Sequence, residues 1–327
     1  MPCIGSARLV FDLPAVPVSL SLRCPHSSLR SFHFSYLSSI ATSGLTRWPP
    51  RRTFSIMAHL RNDLFDYTSG RWIMFSINDV LRHTERRCVF NIDGLRELAA
   101  QSVNRSSDDI VDLTKLAEGG FNRTFLITMH GGFQMVARIP YPATIPKYFA
   151  VASEVATMDL LRSSGLPVPK VYGYSPVPGN AAETEYIFME FIKGTSLSDI
   201  WFDLEEEDII SVLYQLAKLE SKMMSIPFPA GGSVYYTKDL EVVGRPGILL
   251  EDERFCVGPD TRLPLWYGRR SQLDVDRGPY ESAEAALVRG ADKELAYLEK
   301  FGRPLLPFQR MRREGYQYQK QLPSDHI

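Results

Sequence analysis

The chain has 327 residues and a mass of 37.1 kDa, and 44% of its residues are hydrophobic, so it can bury a substantial core. Its formal net charge of −1 argues against nucleic acid as a partner, and no apolar run of about 18 residues or more predicts a transmembrane segment. The four cysteines are scattered and contain no C-x-x-C pair, which is typical of reduced thiols and excludes the usual disulfide or zinc frameworks.

The N-terminus differs in composition from the rest of the chain. Before Leu60 there is one acidic residue, Asp12, with six arginines, no lysine and many serines. Such a composition is typical of a mitochondrial transit peptide. We therefore expect residues 1–56 to be a transit or disordered segment and the protein to be mitochondrial. The alternatives are an extension without a targeting role, or a translation start at Met57.

The next residues predict a short extension and then a sheet. Residues 57–105 form an N-terminal extension, in which Asn91 caps an amphipathic helix. Apolar periodicity and glycine-containing turns then predict three short strands, Ile110–Leu116, Thr124–Met129 and Gln134–Ile139.

A helix follows the three strands, beginning at Pro146 and ending at Gly165, where proline and glycine are the usual boundary residues. Two further strands are predicted at Val168–Tyr174 and Glu185–Ile192. Residues 106–192 should therefore form a lobe with five antiparallel strands and one helix.

After Gly194 the pattern becomes helical. A long helix is predicted from Glu205 to Met223, and another from Glu281 to Phe301, with a polar stretch over residues 231–270 between them. Residues 193–327 should thus form a partial helical lobe. The whole pattern predicts an α+β fold with two lobes.

The turn between the first two strands contains two glycines. Gly119 and Gly120 would let backbone N–H groups approach phosphate oxygens without interference from side chains. Phe121 could close over such phosphates, and Asn122 could donate a hydrogen bond to them. The alternative is an ordinary hairpin turn.

An arginine in the third strand needs a partner. Alternation places Arg138 and Val136 on one face of the strand, and Ala137 and Ile139 on the other. A charge on a partly buried strand is costly unless it is paired, and Glu154 on the following helix is the natural partner. The pair could direct Arg138 towards phosphates. The alternative is a surface arginine with a solvated glutamate.

The fifth strand ends close to Gly194. Backbone groups from Glu190 to Ile192 could pair with the edge of an adenine ring where the two lobes join. The alternative is a simple core strand, and both interpretations can hold together.

These segments, in this order, resemble the N-terminal lobe of the aminoglycoside phosphotransferase family, which has a protein-kinase-like fold, and within it a fungal branch of mitochondrial proteins. The resemblance covers roughly residues 90–300. It rests on four segments: Glu118–Phe125, Gln134–Pro142, Ser153–Tyr174 and Tyr186–Leu197. It implies that Gly119 and Gly120 cover the phosphates of ATP, that Arg138 contacts them, and that Glu154 holds Arg138.

Two departures from the family pattern bear on activity. Arg138 stands where kinases usually have lysine, and the two side chains are not interchangeable at a phosphate site. The family's catalytic His-x-Asp-x-x-x-x-Asn segment and its later magnesium-binding Asp are not found in the sequence. None of the histidines begins that segment: His26, His33, His59, His83, His130 and His326.

The resemblance therefore predicts an ATP-dependent phosphotransferase of small molecules by ancestry, with Mg²⁺ as the expected cofactor, truncated before its catalytic loop. Without the catalytic Asp and the metal ligands, we expect the chain as written not to catalyse phosphoryl transfer. The alternative is a pseudokinase-like scaffold that binds a nucleotide, or an unidentified small molecule or protein. An unstable fragment with uncovered helix faces is a third interpretation.

Overall fold

The computed structural model describes residues 19–20, 32–33, 64–68 and 79–302. Most of the predicted transit segment, residues 1–56, lies outside the described residues, as does 303–327. The described parts of residues 1–56 are two short strands, β1 (Ser19–Leu20) and β2 (Phe32–His33).

The main structure is a five-stranded antiparallel sheet. Its strands are β3 (Ile110–Glu118), β4 (Asn122–Met129), β5 (Gln134–Pro140), β6 (Val171–Ser175) and β7 (Tyr186–Glu190). They are arranged in the order β3-β4-β5-β7-β6, so β5 lies at the centre and β7 crosses back beside it. The predicted antiparallel sheet with five strands is therefore confirmed.

Both faces of this sheet are covered. Helix α1 (Asp79–Arg86) precedes helix α2 (Ile92–Ser102), and α2 packs on the face that carries Phe125, Ile127 and Phe188. The opposite face packs against helix α3 (Lys147–Ser163). Burial alternates strictly along β4, as expected for a strand whose successive side chains point to opposite faces.

Helix α2 begins as the sequence predicts. Asn91 is its N-cap, and the side chain of Asn91 accepts a hydrogen bond from the backbone N–H of Gly94 at 3.1 Å. Gly94 is buried against the backbone of Ala181, in the connection between β6 and β7. The missing side chain thus allows helix and loop backbones to come into contact.

A second, smaller sheet lies in the stretch 231–270, for which the sequence predicts no element. Its strands are β9 (Ser233–Tyr236), β10 (Ile248–Leu249) and β11 (Phe255–Gly258), and β11 is the central strand. All four residues of β11 are buried. The strands are short and separated by polar loops, so their apolar residues give too little periodicity to be recognised.

The small sheet packs on the side of α3 that faces away from the main sheet. Ala152 and Ala156 are fully buried in these contacts, beside Tyr235 and Phe255. The hydroxyl of Tyr236 donates to Asp159 of α3 at 2.8 Å. Helix α3 is consequently buried between two sheets.

The remaining elements after β7 are mostly helical. They are β8 (Thr195–Ser196), which pairs with β2, and the helices α4 (Leu197–Ile200), α5 (Glu206–Met224), α6 (Thr237–Val242), α7 (Leu263–Trp266) and α8 (Ala283–Phe301). Helices α5 and α8 lie close to the predicted positions. Several of their large apolar residues are exposed, including Leu213 and Leu287. In the part of the chain that the structure describes, no helix has the length and apolar character needed to cross a membrane.

Two glycines in helices allow a matched test of the packing at Gly94. A methyl group at Gly94 would overlap the carbonyl of Ala181, whereas nothing lies near Gly290 in α8. We expect Gly94→Ala to lower the free energy of unfolding by about 1–3 kcal/mol through overpacking. The control Gly290→Ala should raise it by up to about 1 kcal/mol, because alanine favours helix.

Urea denaturation followed by circular dichroism measures both values. Equal changes in the two variants would contradict the close approach of α2 to the β6–β7 connection.

Candidate functional site

Arg138 and Glu154 form an ion pair in the interior of the protein. Arg138 lies near the end of β5 and is 8% exposed, and Glu154 lies in the middle of α3 and is 7% exposed. The Nη1 group of Arg138 donates a hydrogen bond to Oε1 of Glu154. The predicted partner is therefore the observed one, and the alternative of two solvated side chains does not apply.

The register of the sheet directs Arg138 towards α3. Arg138 is opposite Thr124 on β4 and Ile187 on β7, and residues opposite each other point to the same face. Ile187 and Val136 belong to the core between the sheet and α3. Ala137, by contrast, packs on the α2 side, as the alternation predicts.

Burial changes the pKa of Arg138. Desolvation lowers the pKa of Arg138 to about 10, so the guanidinium is still charged near neutral pH. A guanidinium has five N–H donors, and among the described residues Glu154 is its only hydrogen-bond partner. The remaining donors can therefore serve another acceptor, such as a phosphate or a carboxylate.

The turn with two glycines joins β3 to β4. The backbone N–H of Gly119 donates to the carbonyl of Asn122 at 2.9 Å, which closes the turn. Gly119 and Gly120 are exposed, and a side chain at Gly120 would meet no neighbour. Phe121 is 39% exposed, and its carbonyl accepts from the backbone N–H of Tyr141 at 2.9 Å.

Asn122 shares a sheet face with Arg138. Asn122 is opposite Pro140, two residues along β5 from Arg138, so the two side chains are diagonal neighbours with Cα atoms about 7–8 Å apart. The structure thus brings Asn122, Arg138 and Glu154 to one region of the sheet.

Part of the backbone segment that was expected to contact adenine already makes hydrogen bonds within the protein. The backbone N–H of Glu190 donates to the carbonyl of Lys170 at 2.8 Å, and its carboxylate accepts from the N–H of Lys170 at 3.1 Å. Glu190 is opposite Met135, so its side chain points to the sheet face away from Arg138. Ile192 lies beyond the end of β7 and is half-buried. Of the predicted segment, the backbone after Glu190 is the part left for a ligand.

A buried arginine beneath the turn was not predicted. Arg123 is fully buried, donates to the carbonyl of Leu64 at 2.6 Å, and lies 3.4 Å from a carboxylate oxygen of Glu118. The backbone N–H of Thr68 donates to the same carboxylate at 3.0 Å. The N-terminal extension is therefore fixed to the base of the turn. The alternation of Phe125 and Ile127 places residue 123 on a buried face, and that signal could have identified it.

The described residues contain no group of three or more His, Cys, Asp or Glu side chains that could hold a metal ion.

Comparison with known proteins finds relatives in fungi, and no family model matches the chain. A subtelomeric hrmA-associated cluster protein of Aspergillus fumigatus is 43% identical over 169 residues, which cover 51% of this chain and 33% of the relative.

Relatives named altered inheritance of mitochondria protein 9 align over a longer stretch. The protein from Clavispora lusitaniae is 26% identical and that from Candida dubliniensis 28% identical, over 73% and 72% of this chain. The chain is similar to altered inheritance of mitochondria protein 9. This supports the fungal branch to which the sequence motifs pointed. These relatives are named as mitochondrial, which confirms the predicted mitochondrial localisation. The chain spans less than half of their length, 46% and 45%.

The buried pair has a distinct thermodynamic signature. Arg138→Met alone should lower the free energy of unfolding by about 3–5 kcal/mol, because it leaves the Glu154 carboxylate buried without a partner. The double variant Arg138→Met/Glu154→Leu should recover most of this loss, since apolar side chains of similar volume replace both charges.

The double-mutant cycle is completed by urea denaturation of the wild type, Arg138→Met, Glu154→Leu and the double variant. Additive effects in the four proteins would show that the two side chains do not interact in solution.

Proposed function

We propose that this chain binds an adenine nucleotide, with its phosphates beside Arg138, as part of a protein of the aminoglycoside phosphotransferase family with a kinase-like two-lobed fold. By ancestry the reaction is ATP-dependent phosphorylation of a small hydroxylated molecule. The observation that carries the proposal is the buried Arg138–Glu154 pair, which joins the central strand to the one helix of the lobe.

The ion pair with Glu154 orients Arg138 and uses only part of the N–H donors of its guanidinium. A surface arginine samples many rotamers, whereas the carboxylate of Glu154 and the surrounding core restrict Arg138 to one. A planar guanidinium can donate two parallel hydrogen bonds to a phosphate. Glu154 therefore acts as a positioning residue, and Arg138 as the phosphate ligand.

The turn would complete the phosphate site. The N–H of Gly119 is used to close the turn, so Gly120 is the glycine whose backbone N–H would face the phosphates, and Asn122 lies on the same face as Arg138. The base of the turn is held by the carboxylate of Glu118, which the N-terminal extension contacts through Thr68. These donors fit the oxygens of a di- or triphosphate.

The adenine ring would lie next to the end of β7. The N–H of Glu190 is used within the sheet, so the backbone of Phe191 and Ile192 is left for the adenine edge. Both residues are half-buried, as expected for the lining of a slot between two parts of a protein.

Bound ATP would supply the phosphoryl group to be transferred. The residues of this chain would bind and orient it. The proposed function of these residues is to bind the nucleotide.

A second candidate is a scaffold that docks another protein without needing a nucleotide. It is favoured by exposed apolar side chains on two helices, Ile210, Leu213 and Tyr214 on α5, and Leu287 and Leu298 on α8. Exposed apolar patches of this kind mark interaction surfaces.

Nucleotide binding distinguishes the two candidates. We expect a fluorescent N-methylanthraniloyl derivative of ADP to bind the full chain, and unlabelled ADP to displace it. Arg138→Met/Glu154→Leu should weaken binding about 10–100-fold, because a hydrogen bond to a charged group contributes about 1.5–3 kcal/mol. Glu97→Gln, an exposed substitution on the opposite side of the sheet, should leave the affinity unchanged.

Titrations with and without Mg²⁺ measure both affinities. If millimolar ADP displaces nothing and leaves the melting temperature unchanged, the nucleotide proposal is wrong and the scaffold is favoured.

A further inference from the structure

A cavity of about 210 Å³ lies beyond α3, on the side of the small sheet. Its walls come from the start of α3, the loop that follows α6, the end of α7 and the loops on both sides of α7. The lining includes two arginines, two aromatic rings and an aspartate: Arg245, Arg277, Phe149, Trp266 and Asp276.

Arg277 is held in the wall by backbone carbonyls. Its guanidinium donates to the carbonyls of Leu265 at 3.2 Å, Arg270 at 2.9 Å and Leu273 at 3.1 Å, and it lies 4.1 Å from the centre of the Trp266 ring. Carbonyls fix the side chain but do not neutralise it. Among the described residues, Arg277 forms no ion pair, and the charge of Asp274, which raises its pKa, compensates its positive charge only in part.

Arg245 adds a second positive charge. It is exposed, and in the part of the chain that the structure describes it has no ion-pair partner. Burial lowers the pKa of Arg277, Tyr280 and Asp274 raise it, and the charge of Arg245 lowers it. The two cations are therefore close enough to repel each other, and an anion between them would relieve that repulsion.

The carboxylate in the lining does not cancel these charges. Asp276 is exposed, forms an ion pair with Arg289 of α8 at 3.1 Å, and accepts a hydrogen bond from the backbone N–H of Gly278 at 2.9 Å. The cavity therefore has an excess of positive charge in a partly enclosed space, where electrostatic interactions are stronger than in water.

The rest of the lining is flat and apolar. The rings of Phe149 and Trp266 have centroids 5.9 Å apart, and Pro246 and Pro259 complete the wall. This surface suits a planar apolar group better than a sugar or a flexible polar chain. The volume is below the 300–1,000 Å³ or so of pockets for drug-sized ligands, so the ligand must be small.

We infer that this cavity binds a small aryl anion, with its carboxylate or phosphate group at Arg245 and Arg277 and its ring against Phe149 and Trp266. The site is separate from Arg138, because Phe149 packs towards Tyr235 of the small sheet whereas Glu154 faces the main sheet. The inference therefore does not depend on nucleotide binding.

Fluorine NMR of the full chain tests the inference with three probes. They are 4-fluorophenylacetate, 4-fluorophenyl phosphate and the neutral 4-fluorobenzyl alcohol. We expect at least one anion to bind with a Kd below about 1 mM and the alcohol to bind at least tenfold more weakly, since it lacks the charge. The two anions distinguish a carboxylate ligand from a phosphate ligand.

Two variants locate the binding. Arg245→Gln removes an exposed cation and should weaken the anion at least tenfold. Val275→Phe fills the cavity and should weaken both anion and alcohol. Arg105→Gln, an exposed arginine next to Phe133 on the other side of the molecule, is the matched control and should change nothing.

Unchanged melting temperatures establish that the variants are folded, and Arg245→Gln decides the question if Val275→Phe does not fold. The inference is overturned if neither anion binds, if the alcohol binds equally well, or if Arg245→Gln leaves the affinity unchanged.

Discussion

The packing of the main sheet against α3 depends on the ion pair between Arg138 and Glu154. It links the central strand β5 to α3, and both residues are almost fully buried. A charge in the interior must be compensated, so strand and helix can take only the relative position that brings the two groups together. Apolar contacts alone would tolerate a sliding of the helix along the sheet.

The surroundings of α3 explain why this helix is so strongly constrained. The main sheet covers one side and the small sheet covers the other, where Ala152 and Ala156 allow close approach. A helix between two sheets has no polar face to orient it. Polar groups must therefore set its rotation, and Glu154 on one side and Asp159 on the other do so.

Local patterns were sufficient to predict the main sheet. Burial alternates along β4, and the two-residue period of a strand places Arg138 of β5 on the face of α3. Asn91 predicted the start of α2 through a contact made within one turn of helix. The pairing of Arg138 with Glu154 was predictable for the same reason, since it joins neighbouring elements.

The features that the sequence does not predict depend on contacts between residues that are far apart along the chain. The strands β9 and β11 are stabilised by packing on α3, and their own sequences are too short to show a period. Arg123 is buried because residues near Leu64 close over it, far away along the chain. The cavity at Arg277 likewise depends on carbonyls from a loop whose shape no motif encodes.

The two arginine sites differ in how their charge is balanced, and this difference determines what each can bind. Arg138 and Glu154 together have no net charge, so a phosphate placed there gains little from long-range attraction. Its binding energy must come from directed hydrogen bonds, so the backbone N–H of Gly120 and the side-chain amide of Asn122 are important for the proposed site. Arg277 is fixed by neutral carbonyls and has no ion-pair partner among the described residues. An anion bound there is stabilised by electrostatic attraction to the arginine, and the neighbouring aromatic rings favour a planar ligand.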